Sequence, residues 1–189
     1  MTLPISLLPD LPGTTPAHDV PRPWSCERLC AWFAAEGLRC ERLDHPPVFT
    51  ADEAQRLVPP ARGAHAKNLL LEDRRQGRVF MVTVPFGIRV DLSALAVALG
   101  TKNLRFVQAE RMMQLLAVTP GSVSMLALVN DPVLAVSLVL DRPLWEADAV
   151  QCHPLVNTAT LVVDHRDLER FLDVIGHAPL VLDVPRRVP

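Results

Sequence analysis

The chain lacks any long apolar segment. None of its hydrophobic runs approaches the roughly 20 residues that a membrane-spanning helix needs, and its first residues lack the basic start and continuous apolar stretch of a signal peptide. We therefore expect no membrane partner and a cytoplasmic location. With 189 residues, of which 49% are hydrophobic and 21% charged, the sequence predicts one folded domain with a sizeable core.

Common nucleotide-binding and hydrolase motifs are missing as well. The sequence contains no GxGxxG, no GxxxxGK(S/T) and no internal repeat, so it gives no support to the common dinucleotide-binding and P-loop folds. It also contains no GxSxG. Cys152 is adjacent to His153, a spacing that seldom lets two side chains meet as nucleophile and base, so a Ser or Cys hydrolase has little support.

Cysteines are few, and their spacing does not indicate a metal site. The chain has four, at Cys26, Cys30, Cys40 and Cys152, with no CxxC pair. Cys26 and Cys30 would share one face of a helix, so a site made of these two and a histidine remains a possible alternative. We expect reduced, mostly buried thiols, with no disulfide, no metal and no other cofactor.

The overall charge does not indicate a nucleic-acid-binding protein, and we expect no DNA partner. The formal net charge is −2. However, residues 56–111 contain ten Lys/Arg and four Asp/Glu, so this span carries +6. Such a span is compatible with a basic rim that holds an RNA end by its phosphates, or with arginines scattered over several faces.

Prolines are concentrated at the N-terminus. Residues 1–23 contain six of them, which argues against a regular helix or central strand, and we interpret this segment as an extended arm. The domain is expected to span residues 24–184, followed by a tail at residues 185–189. Ser25 is suited to cap a first helix with apolar residues at helical spacing, and Gly37 lies near the end of that helix.

The remaining elements follow from apolar runs and the turn residues between them. Strands that come in pairs with irregularly interleaved helices predict an α+β domain with a mixed, largely antiparallel sheet surrounded by helices. We predict a strand at 39–43, a helix at 51–57 capped by Thr50, antiparallel strands at 68–72 and 78–84, helices at 93–100 and 109–116, a hairpin made of 126–130 and 134–140 around Asp131-Pro132, a last strand at 159–163, and a helix at 166–175 capped by Asp164 and ended by Gly176.

Lys67 stands where a cation needs an explanation. It precedes Asn68 and the apolar run 69–71, which is typical of a buried strand, so its ammonium is expected close to a low-dielectric wall. A lysine in that position can hold a phosphate or polarise a carbonyl. Alternatively, Lys67 ends a strand and extends to solvent.

A second polar segment lies about ninety residues further along the chain and leads into another apolar run. It contains His153-Pro154 and then Asn157-Thr158-Ala159-Thr160. With the segments between them, these residues resemble one family, the free-standing prolyl-tRNA editing domains of the YbaK and ProX type, whose relatives also occur inserted in bacterial prolyl-tRNA synthetases. The resemblance runs from roughly Ser25 to Asp183. It also includes His45-Pro46-Pro47-Val48-Phe49-Thr50, Lys67-Asn68-Leu69 and Thr119-Pro120-Gly121-Ser122-Val123.

The resemblance implies hydrolysis of the ester that joins a wrongly attached small amino acid, alanine above all, to the terminal adenosine of tRNA for proline. The implied partners are the acceptor end of mischarged tRNA and prolyl-tRNA synthetase. Lys67 matches the family's near-essential lysine and would bind the carbonyl oxygen or nearby phosphate and ribose oxygens. His153 matches the loop histidine of the alanine-specific branch and would bind the ribose or amino acid, or act as a general base, unless it is only bonded to backbone.

The implied substrate-binding residues surround these two. Asn68 would orient substrate, although strand alternation sends its side chain to the face opposite Lys67. Thr50 and Met125 are candidates for the wall of a pocket too small for proline. Asn157, Thr158 and Thr160 either bond the substrate or close their own loop.

Two other functions remain open at this stage. A sibling deacylase for cysteine or another small residue would differ only in the size of its pocket. A binding module that holds RNA or a synthetase without catalysis would bind tRNA whether or not Lys67 is present.

Overall fold

One mixed sheet of eight strands organises the part of the chain that the structure describes. The structure is a computed structural model, and it describes residues 23–48, residue 53 and residues 56–187. The strands are β1 Cys40–Asp44, β2 Ala64–Asp73, β3 Arg78–Pro85, β4 Arg105–Phe106, β5 Val136–Asp141, β6 Ala149–Cys152, β7 Ala159–Asp164 and β8 Leu180–Leu182. The α-helices are α1 Cys26–Ala35, α2 Leu92–Ala98, α3 Ala109–Leu116, α4 Arg142–Trp145 and α5 His165–Ile175, with a 3₁₀-helix at Met125–Asn130.

The strands follow the order β1-β7-β6-β2-β3-β5-β8, and β4 pairs with β2 beside this path. Four pairings are antiparallel and three are parallel. The predicted α+β class with a mixed sheet is therefore confirmed. The junction between β6 and β2 is a short parallel ladder. It consists of the register pairs Ala64–Val150 and His65–Gln151.

The start of α1 and the end of α5 lie where local signals predict them, whereas Asp164 precedes α5 without the expected capping hydrogen bond from its side chain. The Ser25 hydroxyl accepts a hydrogen bond from the Arg28 N–H and caps α1. Gly176 ends α5 with a φ of 76°, in the left-handed region that glycine adopts without strain. The same two helices pack together, with ring centroids of Phe33 and Phe171 5.4 Å apart.

Each face of the sheet carries its own apolar core. The larger core lies under α1, α5 and the 3₁₀-helix and includes Leu70, Leu126 and Phe171. The smaller core lies under α2 and includes Leu71 and Leu95. Since Leu70 and Leu71 are neighbours on β2, their division between the two cores shows that β2 is covered on both faces.

The predicted second hairpin is wrong. Residues 125–130 form the 3₁₀-helix, and β5 pairs in parallel with β3 and β8. Asp131 holds the turn between the 3₁₀-helix and β5, because its buried carboxylate accepts hydrogen bonds from the N–H groups of Ala135 and Val136. Three short strands, β4, β6 and β8, were not predicted, and because β8 follows β7, 159–163 is not the last strand.

The ends of the chain differ in how far the structure describes them. The arm at 1–23, apart from Pro23, lies outside the described residues, as does most of the predicted helix at 51–57 with its cap Thr50. The expected tail is not separate from the domain. Arg187 N–H donates to the Arg89 carbonyl, and Asp91 N–H donates to the Pro185 carbonyl. The segment Pro185–Arg187 therefore extends the domain beyond residue 184.

The structure describes no helix with the length and apolar character needed to cross a bilayer.

Candidate functional site

A cavity of about 530 Å³ opens at the start of β2. It lies where β2, the turn after β3 and the loop after β6 approach one another. The side chains that line it combine cations, imidazoles and apolar groups. The lining residues are Val48, His65, Ala66, Lys67, Asn68, Leu70, Phe86, Gly87, Ile88, Arg89, Met112, Pro120, Gly121, Val123 and His153.

The cavity reaches both faces of β2 because one edge of that strand is left open. On this edge β2 pairs with β6 at residues 64–65 and with β4 at residues 71–72. Among the described residues no strand pairs with this edge at 66–70. Side chains that alternate between the two faces of a strand can therefore line one cavity.

The start of β2 is held in place by close backbone contacts. Gly63 has a φ of 88°, and a Cβ at this position would lie 2.7 Å from the Ala149 carbonyl oxygen. The Gln151 amide nitrogen donates to the carbonyl oxygens of residues 61, 62 and 63 at 3.0, 3.1 and 3.3 Å. These contacts fix the position of Lys67, four residues further along β2.

Lys67 lines the cavity, but its side chain is exposed, so it combines the expected position beside an apolar wall with the alternative of extension to solvent. Its Nζ lies 3.5 Å from the carbonyl oxygen of Ile88, a long contact that leaves donors free. Among the described residues no carboxylate forms an ion pair with it. The ammonium is therefore available to an oxygen of a ligand.

His153 lies on the other side of the short β2–β6 junction and also lines the cavity. Its Nδ1 is 3.1 Å from the Ala159 carbonyl oxygen, which can only accept, so Nδ1 carries the proton. Burial lowers the pKa of His153 below its ordinary value, and the nearby His45 lowers it further, against the opposing effect of the Ala159 hydrogen bond. The ring is thus neutral at pH 7, and Nε2 keeps a lone pair.

His65 is a second imidazole in the cavity, which the sequence gave little reason to select. It lies on β2 two residues before Lys67, so both side chains are on one face of the strand. Its ring stacks on Phe86 with centroids 5.0 Å apart. Burial lowers its pKa, and the neighbouring His153 and His45 add to this effect.

Asn68 faces away from Lys67, as the alternation of strand side chains requires. Its Oδ1 accepts from the Thr83 hydroxyl at 2.9 Å and from the Met125 N–H at 3.1 Å. The Oδ1 atom therefore joins β2 to β3 and to the 3₁₀-helix. A role for Asn68 in orienting substrate stays a prediction.

Met125 does not form the expected pocket wall. Its side chain is fully buried in the larger core and is not among the residues that line the cavity. The other expected wall residue, Thr50, lies outside the described residues. The described apolar wall is made instead by side chains such as Ile88, Met112 and Val123.

Thr160 is fully buried, so it has no path to a ligand. Its hydroxyl lies 3.0 Å from Nε2 of His45, whose Nδ1 is 2.8 Å from the Pro46 carbonyl oxygen. The carbonyl requires that Nδ1 donates, so Nε2 accepts the proton of the Thr160 hydroxyl. Of the two roles expected for Thr160, this contact favours the one in which it holds its own loop, and His45 has a structural role here.

Asn157 and Thr158 hold the loop at residues 45–48. The Thr158 carbonyl accepts from His45 N–H, and the Asn157 carbonyl accepts from Val48 N–H, each at 3.0 Å. The Asn157 side-chain amide also donates to the Val48 carbonyl at 3.3 Å. Because Val48 lines the cavity, Asn157 shapes its wall; neither Asn157 nor Thr158 is itself a lining residue.

Several lining residues were missed. Phe86, Ile88 and Arg89 lie in the turn after β3, and nothing in their local pattern distinguishes them from an ordinary connection. Pro120 and Gly121 belong to the turn that the resemblance includes, which was the one available signal. Arg89 is a second exposed cation in the cavity.

Beyond Lys67 and Arg89, which line the cavity, the basic span at 56–111 contains structural cations and cations that line a second groove. Arg78 donates to the carbonyls of Leu99 and Gly100, and Arg111 pairs with the buried Glu72 at 3.3 Å. A groove at the far end of β2 is lined by the exposed cations Arg74, Arg75, Lys102 and Arg105, of which Arg74 also pairs with Glu72. Part of the span is therefore structural, and part forms a basic groove.

The described residues contain no group of three or more His, Cys, Asp or Glu side chains that could hold a metal ion.

Comparison with known proteins identifies the family. The model of the aminoacyl-tRNA editing domain matches residues 45–171, which include Lys67 and the loop with His153. The chain belongs to the aminoacyl-tRNA editing domain family. It is 37% identical over 142 residues to the prolyl-tRNA synthetase associated domain-containing protein 1 of Danio rerio, covering 74% of this chain and 77% of that protein.

Two further relatives have names that refer to prolyl-tRNA. The prolyl-tRNA editing protein ProX of Acetoanaerobium sticklandii is 30% identical over 135 residues, covering 71% of this chain and 82% of that protein. A solved structure described as a candidate trans-editing enzyme for prolyl tRNA synthetase has a TM-score of 0.59 at 21% identity and covers 85% of this chain and 96% of that one. At that identity the solved structure supports the fold of this editing domain.

Proposed function

We propose that this editing domain is a trans-editing deacylase that hydrolyses the aminoacyl ester of mischarged tRNA for proline. The observation that carries the proposal is the cavity in which the free ammonium of Lys67 and the unprotonated Nε2 of His153 are both present. The name of the ProX relative and membership of the editing family support the same reaction.

Lys67 is the group best suited to stabilise the transition state. When water attacks the ester carbonyl, negative charge develops on the carbonyl oxygen. Once bound substrate displaces water from the cavity, a cation at its wall stabilises this charge more than it would in solvent. Removal of one such donor typically costs about 10²–10³ in kcat.

His153 is proposed to accept the proton. The lone pair on Nε2 takes a proton from the attacking water as the new carbon–oxygen bond forms. The ester bond then breaks, the ribose oxygen leaves, and it recovers the proton from the imidazolium. The products are a free amino acid and uncharged tRNA, so no covalent enzyme intermediate is required.

The selectivity proposed for this site depends on a pocket that is too small for the ring of proline. An added methylene changes binding to an apolar pocket by about 1–3 kcal/mol, so attraction alone discriminates poorly between alanine and proline. The wall made by Ile88, Met112 and Val123 would instead reject the ring of proline. We propose alanine as the residue removed, and cysteine is the alternative within the same chemistry.

The basic groove is proposed to contact the tRNA outside the cavity. Asp73 lies in this groove and is six residues from Lys67 on β2, which corresponds to about 20 Å along a strand. A tRNA whose terminal adenosine lies in the cavity could therefore place backbone phosphates of its acceptor stem against Lys102 and Arg105. Such contacts position the RNA without reading its sequence.

Deacylation of tRNA for proline charged with alanine, cysteine, serine or proline tests the proposal. The chain has two lysines, which supply a matched pair of variants. We expect Lys67→Ala to lower kcat about 10²–10³-fold for alanine. Lys102→Ala should instead raise KM and leave kcat close to the wild-type value.

The outcome also separates an enzyme from a binding module. If every ester survives in the presence of the wild type while the uncharged tRNA still binds, the catalytic proposal is wrong. If cysteine is removed and alanine is not, the reaction stands and the proposed selectivity fails.

A further inference from the structure

The segment Pro185–Arg187 brings a second arginine beside Arg89. Val90 and Arg186 form an antiparallel bridge, which places Arg187 directly opposite Arg89 and Pro185 opposite Asp91. Arg187 N–H donates to the Arg89 carbonyl at 2.8 Å, so a backbone hydrogen bond joins the two opposed arginines. Their side chains therefore lie on the same face of this two-stranded segment.

Like charges placed directly opposite each other are unfavourable unless a counter-ion is present. Both arginines are exposed, and among the described residues neither guanidinium has an ion-pair or hydrogen-bond partner. Asp91 lies two residues after Arg89 in the same segment. Its carboxylate is turned to the start of α2, where it accepts the N–H groups of Ser93 and Ala94 at 2.9 and 3.0 Å.

The segment is held in this position from its other face. Asp141 is buried, and its carboxylate accepts the Val184 N–H at 2.9 Å. The same carboxylate lies 3.4 Å from a guanidinium nitrogen of Arg186. Adjacent residues of a strand point to opposite faces, so the pairing of Arg186 with Asp141 leaves Arg187 on the face of Arg89.

We propose that Arg89 and Arg187 form a phosphate-binding pair at the mouth of the cavity that holds a backbone phosphate of the terminal nucleotides of tRNA. This inference rests on the proposed function. Arg89 lines the cavity that contains Lys67, so the pair lies beside the site proposed for the terminal adenosine. Two planar guanidinium groups provide the donors that a phosphate accepts best.

The test is the salt dependence of binding to uncharged tRNA for proline. Arg89→Ala and Arg187→Ala should each weaken binding several-fold and reduce the slope of log K against log salt by about 0.7–0.9 per lost phosphate contact. Arg187→Lys should retain part of the affinity. Arg187→Glu should weaken binding more than Arg187→Ala, because the new carboxylate would pair with Arg89.

Arg166→Ala is the matched control, since Arg166 is an exposed arginine on α5, outside the cavity. It should leave both the affinity and the salt slope unchanged. In deacylation, Arg187→Ala should raise KM and leave kcat unchanged. This is the result expected when a lost contact stabilises the ground state and the transition state equally. Arg187→Gln provides a second uncharged variant if the alanine variant melts early.

The outcomes separate this inference from the proposed function. If the wild type deacylates its substrate but Arg187→Ala keeps the wild-type affinity and salt slope, the phosphate-binding pair is wrong. If Arg187→Ala lowers kcat with an unchanged slope, the segment only supports the cavity and the pair is also wrong. A reduced slope supports the pair even when the wild type hydrolyses no ester.

Discussion

Oδ1 of Asn68 accepts a hydrogen bond from the Met125 N–H at 3.1 Å, and this contact joins the strand that carries Lys67 to the 3₁₀-helix beneath the cavity. The same oxygen accepts the Thr83 hydroxyl at 2.9 Å. Met125 and Thr83 are both fully buried, so neither donor can turn to water if Asn68 is removed. Asn68 therefore affects stability through the partners that it satisfies.

We predict that Asn68→Ala lowers the free energy of unfolding by about 2–4 kcal/mol, because an unsatisfied buried donor costs about 1–3 kcal/mol and two are left. Denaturant unfolding measures the change. Asn68→Asp keeps an acceptor at the same place and serves as the matched control, with a smaller loss expected. A loss below about 0.5 kcal/mol for Asn68→Ala would contradict the role assigned to this oxygen.

A second prediction concerns pH. If His153 accepts the proton as we propose, its neutral form is the active one, and its pKa is lowered from 6.5, chiefly by burial. The neutral form therefore persists below pH 6.5, and kcat/KM should be flat near pH 7 and fall only at more acid pH. His153→Asn should lower kcat and remove this acid limb, and a limb centred above pH 6.5 would contradict the assignment.

The same pKa shift affects folding and must be monitored alongside the rate. A histidine with a lowered pKa in the folded state binds fewer protons there than in the unfolded chain. Stability is therefore lost as pH falls below 6.5. Thermal unfolding at each pH separates a loss of catalysis from a loss of fold.

A third prediction concerns the close approach of β2 to β6. Gly63→Ala would combine a strained backbone, at a φ of 88°, with a Cβ only 2.7 Å from the Ala149 carbonyl oxygen. We expect a loss of more than about 2 kcal/mol of stability and reduced activity, because the start of β2 must move. Gly77 has a similar φ of 69°, but a Cβ there would have nothing within 4 Å. Gly77→Ala therefore measures the backbone strain alone, and the additional loss of stability in Gly63→Ala measures the steric clash.

A fourth prediction concerns the thiols. Burial raises the pKa of the Cys152 thiol to about 12, and burial together with the neighbouring Cys30 raises that of Cys26 to about 11. Both should react slowly with iodoacetamide in the native protein at pH 8, because the thiolate is the reactive form. Cys152→Ala should keep kcat within a few-fold of the wild-type value, whereas loss of activity in a folded variant would revive a thiol mechanism.

The sequence predicted features that depend on local physics. Ser25 and Gly176 fixed helix ends because capping needs particular residue types within one turn of the chain. Strand alternation predicts that Asn68 and Lys67 face opposite sides of β2, as the structure shows. Lys67 is a candidate site residue from the sequence alone, because a cation beside an apolar strand lies close to a low-dielectric wall.

Features set by distant contacts could not be predicted in the same way. Met125 and Thr160 are buried by elements far away in the chain, and no local pattern distinguishes a pocket wall from a core residue. β5 pairs in parallel with β3 and β8, which lie far from it along the sequence. No local pattern indicates which of their residues pair with each other. Arg187 became a candidate for function only when the bridge between Val90 and Arg186 placed it opposite Arg89.

The short junction between β2 and β6 has a mechanical consequence. Within the described chain these strands share the register pairs Ala64–Val150 and His65–Gln151, and Lys67 and His153 lie on opposite sides of this seam. A ligand that touches both side chains acts as a non-covalent cross-link, because its binding free energy must be overcome before the two halves of the sheet can part. The loaded protein should therefore resist opening along this seam more strongly than the empty one.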